Sequence, residues 1–564
     1  MSESQIKWQR LGVCAFNDKS IYLAEIVESW GVPAHVFIPE QLTAQLRNLD
    51  LLITAGYRAL ADFERAAIAE FMRRGGYWIS VGSACGCEGL FGVEGSGSGL
   101  GDGYVSAGAF GDSALKFFGG EAVRATDATE LATVLDRHQS ATGVSGITFR
   151  EWDKGGAVLF AVDVCRSVQR IQQGAWTIED GTNPGDGSAN VEDGVVRMDD
   201  GIVLDWVFDR DGGDPPMFGL PVADLWKDAL LKAVLHVVDK RGGALPMIWR
   251  YPRNLDAVGS LSLDCQGEGP EAVLLCLHLL SLVGARASWC IAPPGMSLNI
   301  YRDLIRRDHD VSLLYDLDHP GGIGEPGLHV QREHLRRSAG QPELLGARTV
   351  GLRSLGHLDQ TALFDKMRFR LDLGRGGYYG GTSGFAFGSC RLSRSTTRNG
   401  RMTKVYALPL TASNIGDSVP FSIAYRTIDA CLEHEGIAHI SARPSICAHS
   451  KSAEEIRRIV NHGRLKGMEW MTPADLLRWE EARRGIEFGL EKSELTVGSE
   501  VEADDVAVMI FAPTPVQGQM GHRTLTAQQQ KRFGREFSVF QFDLKAGQPL
   551  RISLQSVAAS QSAA

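Results

Sequence analysis

The first two hundred residues alternate short apolar runs with amphipathic segments. One such segment, Ala61 to Arg74, has the apolar spacing of a helix and is closed by Gly75 and Gly76. Apolar runs with the length of buried strands occur at 11–16, 34–38, 49–55 and 77–82. Because strand and helix alternate, residues 8–215 are predicted to form a doubly wound, flavodoxin-like parallel sheet.

A second alternating pattern occupies residues 250–485. Apolar and small residues alternate from Ser260 and end in a carboxylate, Asp264, just before a glycine turn. An apolar helix and a further strand at 285–291 follow, so Asp264 is predicted at the carboxyl end of a parallel strand. Enzymes of the α/β class place their reactive groups at that end.

The pattern changes again towards the end of the chain. Residues 216–249 are predicted to be a connecting helix, and residues 486–555 a small β-sandwich. Residues 556–564 are rich in Ser and Ala and are expected to be a disordered tail. The fold class is therefore α/β multidomain, with a doubly wound sheet, a central (β/α) domain and a C-terminal β domain.

Composition limits the function classes. The 564 residues are 44% apolar and 22% charged, which is typical of a globular chain of several domains. A net charge of −10 argues against nucleic-acid binding. With neither a signal peptide nor an apolar run of membrane-spanning length, the protein is expected to be cytoplasmic and away from membranes. Its ten cysteines are then expected to be reduced.

Two polar segments interrupt the first domain. The Gly/Ser stretch 94–103 is predicted to be a mobile loop, and the Gly/Asp-rich stretch 174–215 a solvated insertion. The turn after the strand 77–82 contains Cys85 and Cys87, where a thiolate would lie near a helix N-terminus. A nucleophilic thiol also requires a histidine held by a carboxylate, and no His-x-Glu pair occurs before residue 215.

The segment from Arg74 to Ser80, with Leu90 to Val93, resembles the class I glutamine amidotransferase-like fold over residues 8–215. The relatives it resembles are the non-catalytic trehalose-utilisation and β-galactosidase-trimerisation domains. A structural or binding role is therefore expected for this domain. The resemblance also implies assembly into a homo-oligomer.

The central domain carries a second resemblance. The order of Asp264, the stretch His309 to His319, Gly384 to Arg391, and Met471 to Trp479 resembles the NodB-type polysaccharide deacetylase family over about two fifths of the chain. The family implies a distorted (β/α) barrel of deacetylase type. It also implies metal-dependent removal of an acetyl group from a carbohydrate.

This resemblance implies roles for individual residues. Asp264 matches the catalytic base, and Arg353 lies near the motif whose arginine orients that base. Cys265 replaces a metal-binding aspartate, Leu314 and Asp318 replace histidines, and Arg443 replaces the histidine of a His-Pro pair. These departures at ligand and acid positions imply an altered metal site.

A rebuilt metal site remains one alternative. Cys265, Asp318 and His319 carry donor atoms that bind zinc, and His357 or His439 would supply a further imidazole. Zinc is the divalent metal that such donors favour, and a protein without a metal is the other alternative. For substrate binding, Trp289, Tyr378 and Tyr379 offer aromatic faces suited to sugar rings; the alternatives are that Trp289 is a core residue and that the two tyrosines belong to a plain barrel loop.

Three hypotheses follow. The leading one is a polysaccharide deacetylase-like hydrolase that acts on an acyl amide or ester of a carbohydrate or of another small acylated substrate. The rival is a catalytically silent glycan-binding or assembly subunit. The third is a thiol-dependent, amidotransferase-like enzyme that uses Cys85 or Cys87.

Overall fold

The computed structural model describes residues 6–175, 195–355 and 359–557. Their contacts divide the chain into two compact units. The first combines Met1–Val168, Leu225–Asn254 and Glu481–Ala564, and the second combines Gln169–Asp224 and Leu255–Glu480.

Up to residue 254 the chain contains most of the elements of the first unit. The helices are α1 (Tyr22–Trp30), α2 (Leu42–Gln45), α3 (Asp62–Arg73), α4 (Glu88–Phe91), α5 (Val164–Gln173) and α6 (Val222–Lys240). The strands are β1 (Leu11–Ala15), β2 (Ala34–Val36), β3 (Leu51–Ala55), β4 (Tyr77–Val81), β5 (Val93–Gly99), β6 (Asp102–Val105), β7 (Leu115–Phe118), β8 (Glu121–Ala125), β9 (Thr129–Leu135), β10 (Ala141–Trp152), β11 (Gly155–Phe160), β12 (Val195–Arg197) and β13 (Leu245–Ile248).

The rest of the chain alternates strands and helices and then continues as strands alone. The helices are α7 (Pro270–Leu282), α8 (Leu298–Arg306), α9 (Gly324–Ser338), α10 (Gln360–Lys366), α11 (Phe421–Glu433), α12 (Pro444–Cys447), α13 (Ser450–Leu465) and α14 (Pro473–Arg484). The strands are β14 (Val258–Cys265), β15 (Ser288–Ile291), β16 (Asp310–Tyr315), β17 (Gly346–Thr349), β18 (Arg353–Leu355), β19 (Leu371–Asp372), β20 (Ser393–Thr396), β21 (Met402–Ala407), β22 (Ile437–Ala442), β23 (Glu469–Trp470), β24 (Ile486–Glu491), β25 (Glu494–Ser499), β26 (Ala503–Phe511), β27 (Val516–Met520), β28 (Arg523–Leu525), β29 (Gln528–Arg532), β30 (Arg535–Leu544) and β31 (Leu550–Ser556).

The main sheet of the first unit begins with parallel strands in the order β2-β1-β3-β4-β11. The predicted strands and the predicted helix α3 are confirmed. At the start of α3 the Glu64 carboxylate accepts from the Ala61 amide at 2.8 Å, which satisfies a free backbone donor. The helix ends before Gly75, whose φ of +97° stops it.

The same sheet continues as antiparallel strands beyond β11. The Gly/Ser stretch 94–103 was predicted to be a mobile loop, but it belongs to this antiparallel part of the sheet. It forms β5, which pairs with β8, and the start of β6, which pairs with β7. Backbone pairing between strands does not depend on apolar side chains, so a glycine-rich segment can form a strand where a partner is available.

The C-terminal residues of the first unit form two antiparallel sheets, ordered β13-β26-β30-β29 and β24-β25-β31-β27-β28. Residues 486–555, predicted to form a β domain, consist of strands here, among them β25, β26, β30 and β31. Strand β13 follows helix α6 and pairs with β26, so the segment after α6 takes part in a C-terminal sheet. Of the predicted tail, residues 558–564 lie outside the described residues.

The sheet of the second unit has the order β20-β21-β19-β17-β16-β15-β14-β22, and its pairs are parallel from β21 to β22. The segment after β21 also bonds to β22. The amides of Thr411 and Ala412 donate to the His439 carbonyl at 2.9 and 3.2 Å, and Ser441 donates to Ala412 at 2.8 Å. The curled sheet is thus joined from β21 back to β22.

The Gly/Asp-rich stretch 174–215 was predicted to be a solvated insertion. The stretch 174–215 is described only in part, and within it Asp199 is 5% exposed, which contradicts a wholly solvated insertion.

Among the helices of the described ranges, none combines the length and the apolar character that crossing a bilayer requires.

Candidate functional site

Asp264 lies at the carboxyl end of β14. Side chains alternate between the two faces of a strand. Leu261, Leu263 and Cys265 belong to the apolar core beneath the helices, so Ser262 and Asp264 project from the other, inner face of the sheet. The Asp264 side chain is 15% exposed, and its carboxylate is therefore within reach of solvent.

The inner face of the sheet is polar. Strand register aligns Ser262 with Ser288, and the hydroxyl oxygens of Ser288 and Ser312 on adjacent strands are 2.9 Å apart. Burial of so many hydroxyls requires hydrogen-bond partners, because an unpaired buried polar group costs stability. The inner face of the sheet therefore carries hydrogen-bonded hydroxyl groups, whereas an ordinary sheet core is apolar.

Arg348 on β17 is the guanidinium that contacts Asp264. Its side chain is 0% exposed, and Nη1 donates to Asp264 Oδ1 at 2.6 Å. Nε donates to the Leu373 carbonyl at 2.8 Å. Burial lowers the pKa of Arg348, but Asp264 beside it more than offsets this, and the arginine pKa is raised.

Arg353, predicted to orient the base, has a different partner. Its Nη2 pairs with Asp318, whose side chain is 67% exposed. The contact with Asp264 that the sequence assigned to Arg353 is made instead by Arg348, five residues earlier. The reason is that Arg348 lies within β17, whereas Arg353 begins β18 beyond a turn in which Gly351 has a φ of +63°.

Two further inner-face groups contact Arg348. Its Nη2 donates to Ser262 Oγ at 2.6 Å and lies 3.4 Å from His439 Nε2. Ser262 Oγ is in turn 2.9 Å from His439 Nε2. Burial, together with the charge of Arg348, lowers the pKa of His439 well below its ordinary value, so the imidazole is neutral.

Asp372 is a second buried carboxylate near Arg348. Its Oδ1 accepts from the Gly374 amide at 2.9 Å, and Oδ2 pairs with Arg375 Nε at 3.1 Å. The charge of Asp372 contributes to the raised pKa of Arg348. The start of the glycine-rich segment 374–384 is thereby fixed beside the Arg348–Asp264 pair.

The predicted metal-binding residues do not converge. Cys265 points into the apolar core, away from Asp264, and burial raises the pKa of its thiol well above the ordinary value. Asp318 pairs with Arg353, and His319 Nδ1 lies 3.2 Å from the Pro320 carbonyl. Within residues 6–175, 195–355 and 359–557, no three His, Cys, Asp or Glu side chains form a group that fits a metal ion. His357 lies outside those ranges.

Trp289, predicted as a sugar platform, is fully buried. It projects from the core face of β15 and packs edge-to-face against His309 at 6.0 Å between ring centres. The strand alternation explains this placement, because Trp289 is in register with Leu263 and not with Asp264. The structure thus places this indole in the core.

Tyr378 and Tyr379 are half-buried in the glycine-rich segment. The Tyr378 amide donates to Asp199 Oδ1 at 2.9 Å, and Thr382 also donates its hydroxyl to Asp199. The Arg197 guanidinium lies over the Tyr378 ring at 4.1 Å. The segment is therefore held in one conformation by a buried carboxylate.

Arg443, to which the sequence resemblance gave the position of a histidine, holds the loop after β14. Its Nε donates to Glu268 Oε1 at 3.0 Å, and the Ser445 amide donates to Oε2 at 2.9 Å. The Glu268 side chain is 3% exposed. The loop that follows Asp264 is thus tied to the loop that follows β22.

The thiols of the first unit lack the setting of a nucleophile. Cys85 and Cys87 are buried, and burial raises the pKa of both, that of Cys87 to about 12. Cys85 has a φ of +54°, as a residue in a sharp turn after β4. The thiol of Cys85 lies 3.5 Å from the Gly56 carbonyl.

Sequence reasoning missed Arg348, Asp372 and Glu268. For Arg348 a signal was present, because it is the one charged residue in the short strand Gly346–Thr349; Asp372, in a two-residue strand between Arg370 and Arg375, gave none. A lone charge in such a run indicates a buried charge with a partner, because an unpaired one is too costly. Glu268 lies in a glycine turn and gave no such signal.

No family model and no curated protein matches this chain. Solved structures do show similarity. Agd3, described as a novel carbohydrate deacetylase, is 8% identical with a TM-score of 0.38, and the match covers 98% of this chain and 100% of that chain. A protein described as a polysaccharide deacetylase, from Mycobacterium smegmatis, is 12% identical with a TM-score of 0.32, over 42% of this chain and 93% of its own.

A third similar structure is a β-galactosidase from Bacillus circulans sp. alkalophilus, at 10% identity and a TM-score of 0.23. The match covers 28% of this chain, and the chain spans only 30% of the β-galactosidase. The scores of all three matches are low. The side-chain geometry described above is therefore the basis of the functional argument.

Proposed function

We propose that this protein is a carbohydrate deacylase, a hydrolase that removes an acyl group bound to a sugar through an amide or an ester. The observation that supports it most directly is the partly exposed carboxylate of Asp264, paired at 2.6 Å with a fully buried guanidinium. Such a pair holds a general base in a fixed orientation at the end of a parallel strand.

In the proposed reaction Asp264 accepts a proton from water while the water oxygen bonds to the acyl carbon. The bond from that carbon to the sugar nitrogen or oxygen then breaks, and the leaving atom takes the proton that Asp264 accepted from the water. Because Cys265, Asp318 and His319 do not converge on Asp264, no step is assigned to a metal. The polar inner face around Ser262 supplies a fixed hydrogen-bonding environment for the base.

The sugar is proposed to contact Tyr378 and Tyr379. Both rings are half-buried. The backbone of Tyr378 is held by Asp199 and by Ser413, whose Oγ lies 3.2 Å from the Tyr378 carbonyl, and the Tyr379 amide donates to Thr382 Oγ1 at 3.1 Å. Rings fixed in this way bind a sugar face with a small loss of conformational entropy. This part of the proposal is independent of the identity of the acyl group.

The test is hydrolysis of para-nitrophenyl acetate and of N-acetylated or O-acetylated oligosaccharides by the purified full chain. Asp264→Asn is expected to lower kcat at least about 100-fold, because general-base catalysis contributes this much. Asp318→Asn, which removes a more exposed carboxylate, is the matched control and is expected to retain activity. Equal rates for the wild type and Asp264→Asn would refute the proposal.

A second candidate is a glycan-binding subunit without catalysis. The observation that favours it is that the predicted ligand residues lie on different faces of the sheet or in other ion pairs. This candidate predicts calorimetric binding of acetylated oligosaccharides with no release of acetate. It also predicts that Asp264→Asn changes the affinity but leaves the substrate intact, as mass spectrometry of the sugar would show.

A further inference from the structure

Arg348 is a charged side chain with no contact with solvent, so each of its nitrogens needs a partner. Nε uses the Leu373 carbonyl, and Nη1 uses Asp264. The partner of Nη2 is the Ser262 hydroxyl, at 2.6 Å. Two of these partners are fixed, one by the backbone and one by charge, but a serine hydroxyl rotates freely unless its own hydrogen is bound.

His439 is the group that fixes this hydroxyl. Ser262 Oγ accepts from Arg348 and therefore turns its hydrogen to a different acceptor, and His439 Nε2 lies 2.9 Å away. A guanidinium only donates, so the 3.4 Å contact between Arg348 Nη2 and His439 Nε2 favours the tautomer in which Nε2 carries no proton and accepts from Ser262. A neutral imidazole with its proton on Nδ1 meets this requirement, and the lowered pKa of His439 agrees with it.

We propose that Ser262 and His439 are positioning residues that hold the Arg348 guanidinium, and through it the Asp264 carboxylate, in the orientation used for hydrolysis. The inference rests on the proposed function and adds two residues to it. The chain of contacts runs from His439 Nε2 to Ser262 Oγ, to Arg348 Nη2 and Nη1, and to Asp264 Oδ1.

The pair of Ser262 and His439 has the composition of a nucleophile and its base, but its geometry assigns it the positioning role. Ser262 is 1% exposed and His439 is 0% exposed, so a substrate does not reach either group. The Ser262 oxygen also accepts from a cation, which lowers its nucleophilicity. Its contact is therefore with Arg348 and not with a substrate.

The arrangement of the backbone also supports a positioning role for Ser262 and His439. Ser262 and Asp264 are two residues apart on β14, and His439 lies on β22, which pairs directly with β14. The His439 carbonyl accepts from Thr411 and Ala412, so the imidazole is attached to a fixed backbone. Sites carried by strands hold their groups more accurately than sites carried by loops.

The experiment compares His439→Leu, His439→Gln and Ser262→Ala in the full-length protein. Glutamine places an amide oxygen near the position of Nε2 and keeps the acceptor, whereas leucine has a similar size and removes it. Crystal structures of each variant give the distance from Arg348 Nη1 to Asp264 Oδ1. We expect it to stay near 2.6 Å in His439→Gln and to lengthen in the other two variants. If His439→Leu fails to fold, Ser262→Ala gives the same comparison with a smaller change in volume.

Kinetics on the acetylated substrates provide the second measurement. His439→Leu and Ser262→Ala are expected to lower kcat by about 10- to 100-fold with KM unchanged, because misplacement of a reacting group has effects of this size. His439→Gln is expected to recover most of kcat. Unchanged kcat and an unchanged Arg348–Asp264 distance in both variants would overturn the inference. A displaced Arg348 in variants of an inactive wild type would overturn the proposed function and leave the positioning role supported.

Discussion

Two ion pairs of the second unit differ in burial. The side chains of Arg348 and Asp264 are 0% and 15% exposed, whereas those of Arg353 and Asp318 are 21% and 67% exposed. Charges in water gain little from pairing, while a buried charge that loses its partner is left without solvation. The two arginines, five residues apart, therefore make different contributions to stability.

This difference gives a residue-scale prediction. Arg348→Met is expected to lower the free energy of unfolding by about 3 kcal/mol. Arg353→Met is the matched control and is expected to lower it by less than about 1 kcal/mol. Urea denaturation followed by tryptophan fluorescence measures both. A similar loss for the two variants would contradict the burial argument.

The thiols give a second residue-scale prediction. Burial raises the pKa of Cys85 and of Cys87, so both are protonated at neutral pH and shielded from solvent. Iodoacetamide at pH 7 is expected to leave both unlabelled in the native protein and to label both in denaturant, as peptide mass spectrometry would show. Rapid native labelling of either cysteine would revive the thiol-enzyme hypothesis.

Residue-level prediction from the sequence succeeded where a pattern fixes the position. The position of Asp264 followed from alternation along one strand, which also fixes that Cys265 points to the other face. The choice between a core position and a sugar platform for Trp289 depends on the register of β15 with β14, which the sequence does not contain. The sequence also does not identify the arginine that pairs with Asp264, because the choice between Arg348 and Arg353 depends on where β17 ends.

At the scale of elements, the strands and helices with strong periodicity were predictable. Helix α3 and strands β1, β3 and β4 lie within one or two residues of their predicted bounds. The stretch 94–103 was not, since it forms strands by pairing with partners such as β8, which the local sequence does not specify. The junction between β22 and the segment after β21 likewise depends on backbone hydrogen bonds, which the local sequence does not specify.

Asp199 gives an element-scale prediction, because it holds the glycine-rich segment. Burial raises its pKa to about 6, despite hydrogen bonds from Thr382 and Tyr378 that favour the charged form. An aspartate in the unfolded chain has a pKa of about 4. Between these values the folded protein keeps a proton that the unfolded chain has lost, so this residue lowers stability as the pH rises from about 4 through 6.

The measurement is the free energy of unfolding of the wild type and of Asp199→Asn from pH 4 to pH 7. Relative to the variant, the wild type is expected to lose about 2–3 kcal/mol across this range. Asp112→Asn, at a fully exposed side chain, controls for the loss of one negative charge. A constant difference between the wild type and Asp199→Asn would show that this carboxyl does not titrate in that window.

At the scale of the whole molecule, the first unit is assembled from three separate parts of the chain. Helix α6 packs on its main sheet, where Trp226 Nε1 donates to the Lys116 carbonyl at 2.8 Å and Arg241 pairs with Asp50 at 2.8 Å. Residues Gln169–Asp224 belong to the other unit. The predicted domain 8–215 therefore lacks α6 and β13.

We accordingly predict that a fragment of residues 8–215 does not fold by itself. Loss of α6 exposes the apolar surface that Trp226 covers, and the fragment is expected to aggregate and to melt without a cooperative transition. A chain ending at Val557 is the matched control and is expected to melt like the full-length protein. Size-exclusion chromatography and calorimetry distinguish the outcomes, and a monomeric fragment with a sharp melt would contradict the prediction.

The hydrogen bonds between β22 and the segment after β21 have a consequence for dynamics. The His439 carbonyl accepts from the amides of Thr411 and Ala412, while its imidazole lies at the far end of the contacts that lead to Asp264. Any transient opening between β22 and the segment after β21 would release those amides to solvent and loosen the carboxylate at the same moment. The rate of deuterium exchange at the Ala412 amide would then report how often the Asp264 carboxylate leaves its orientation.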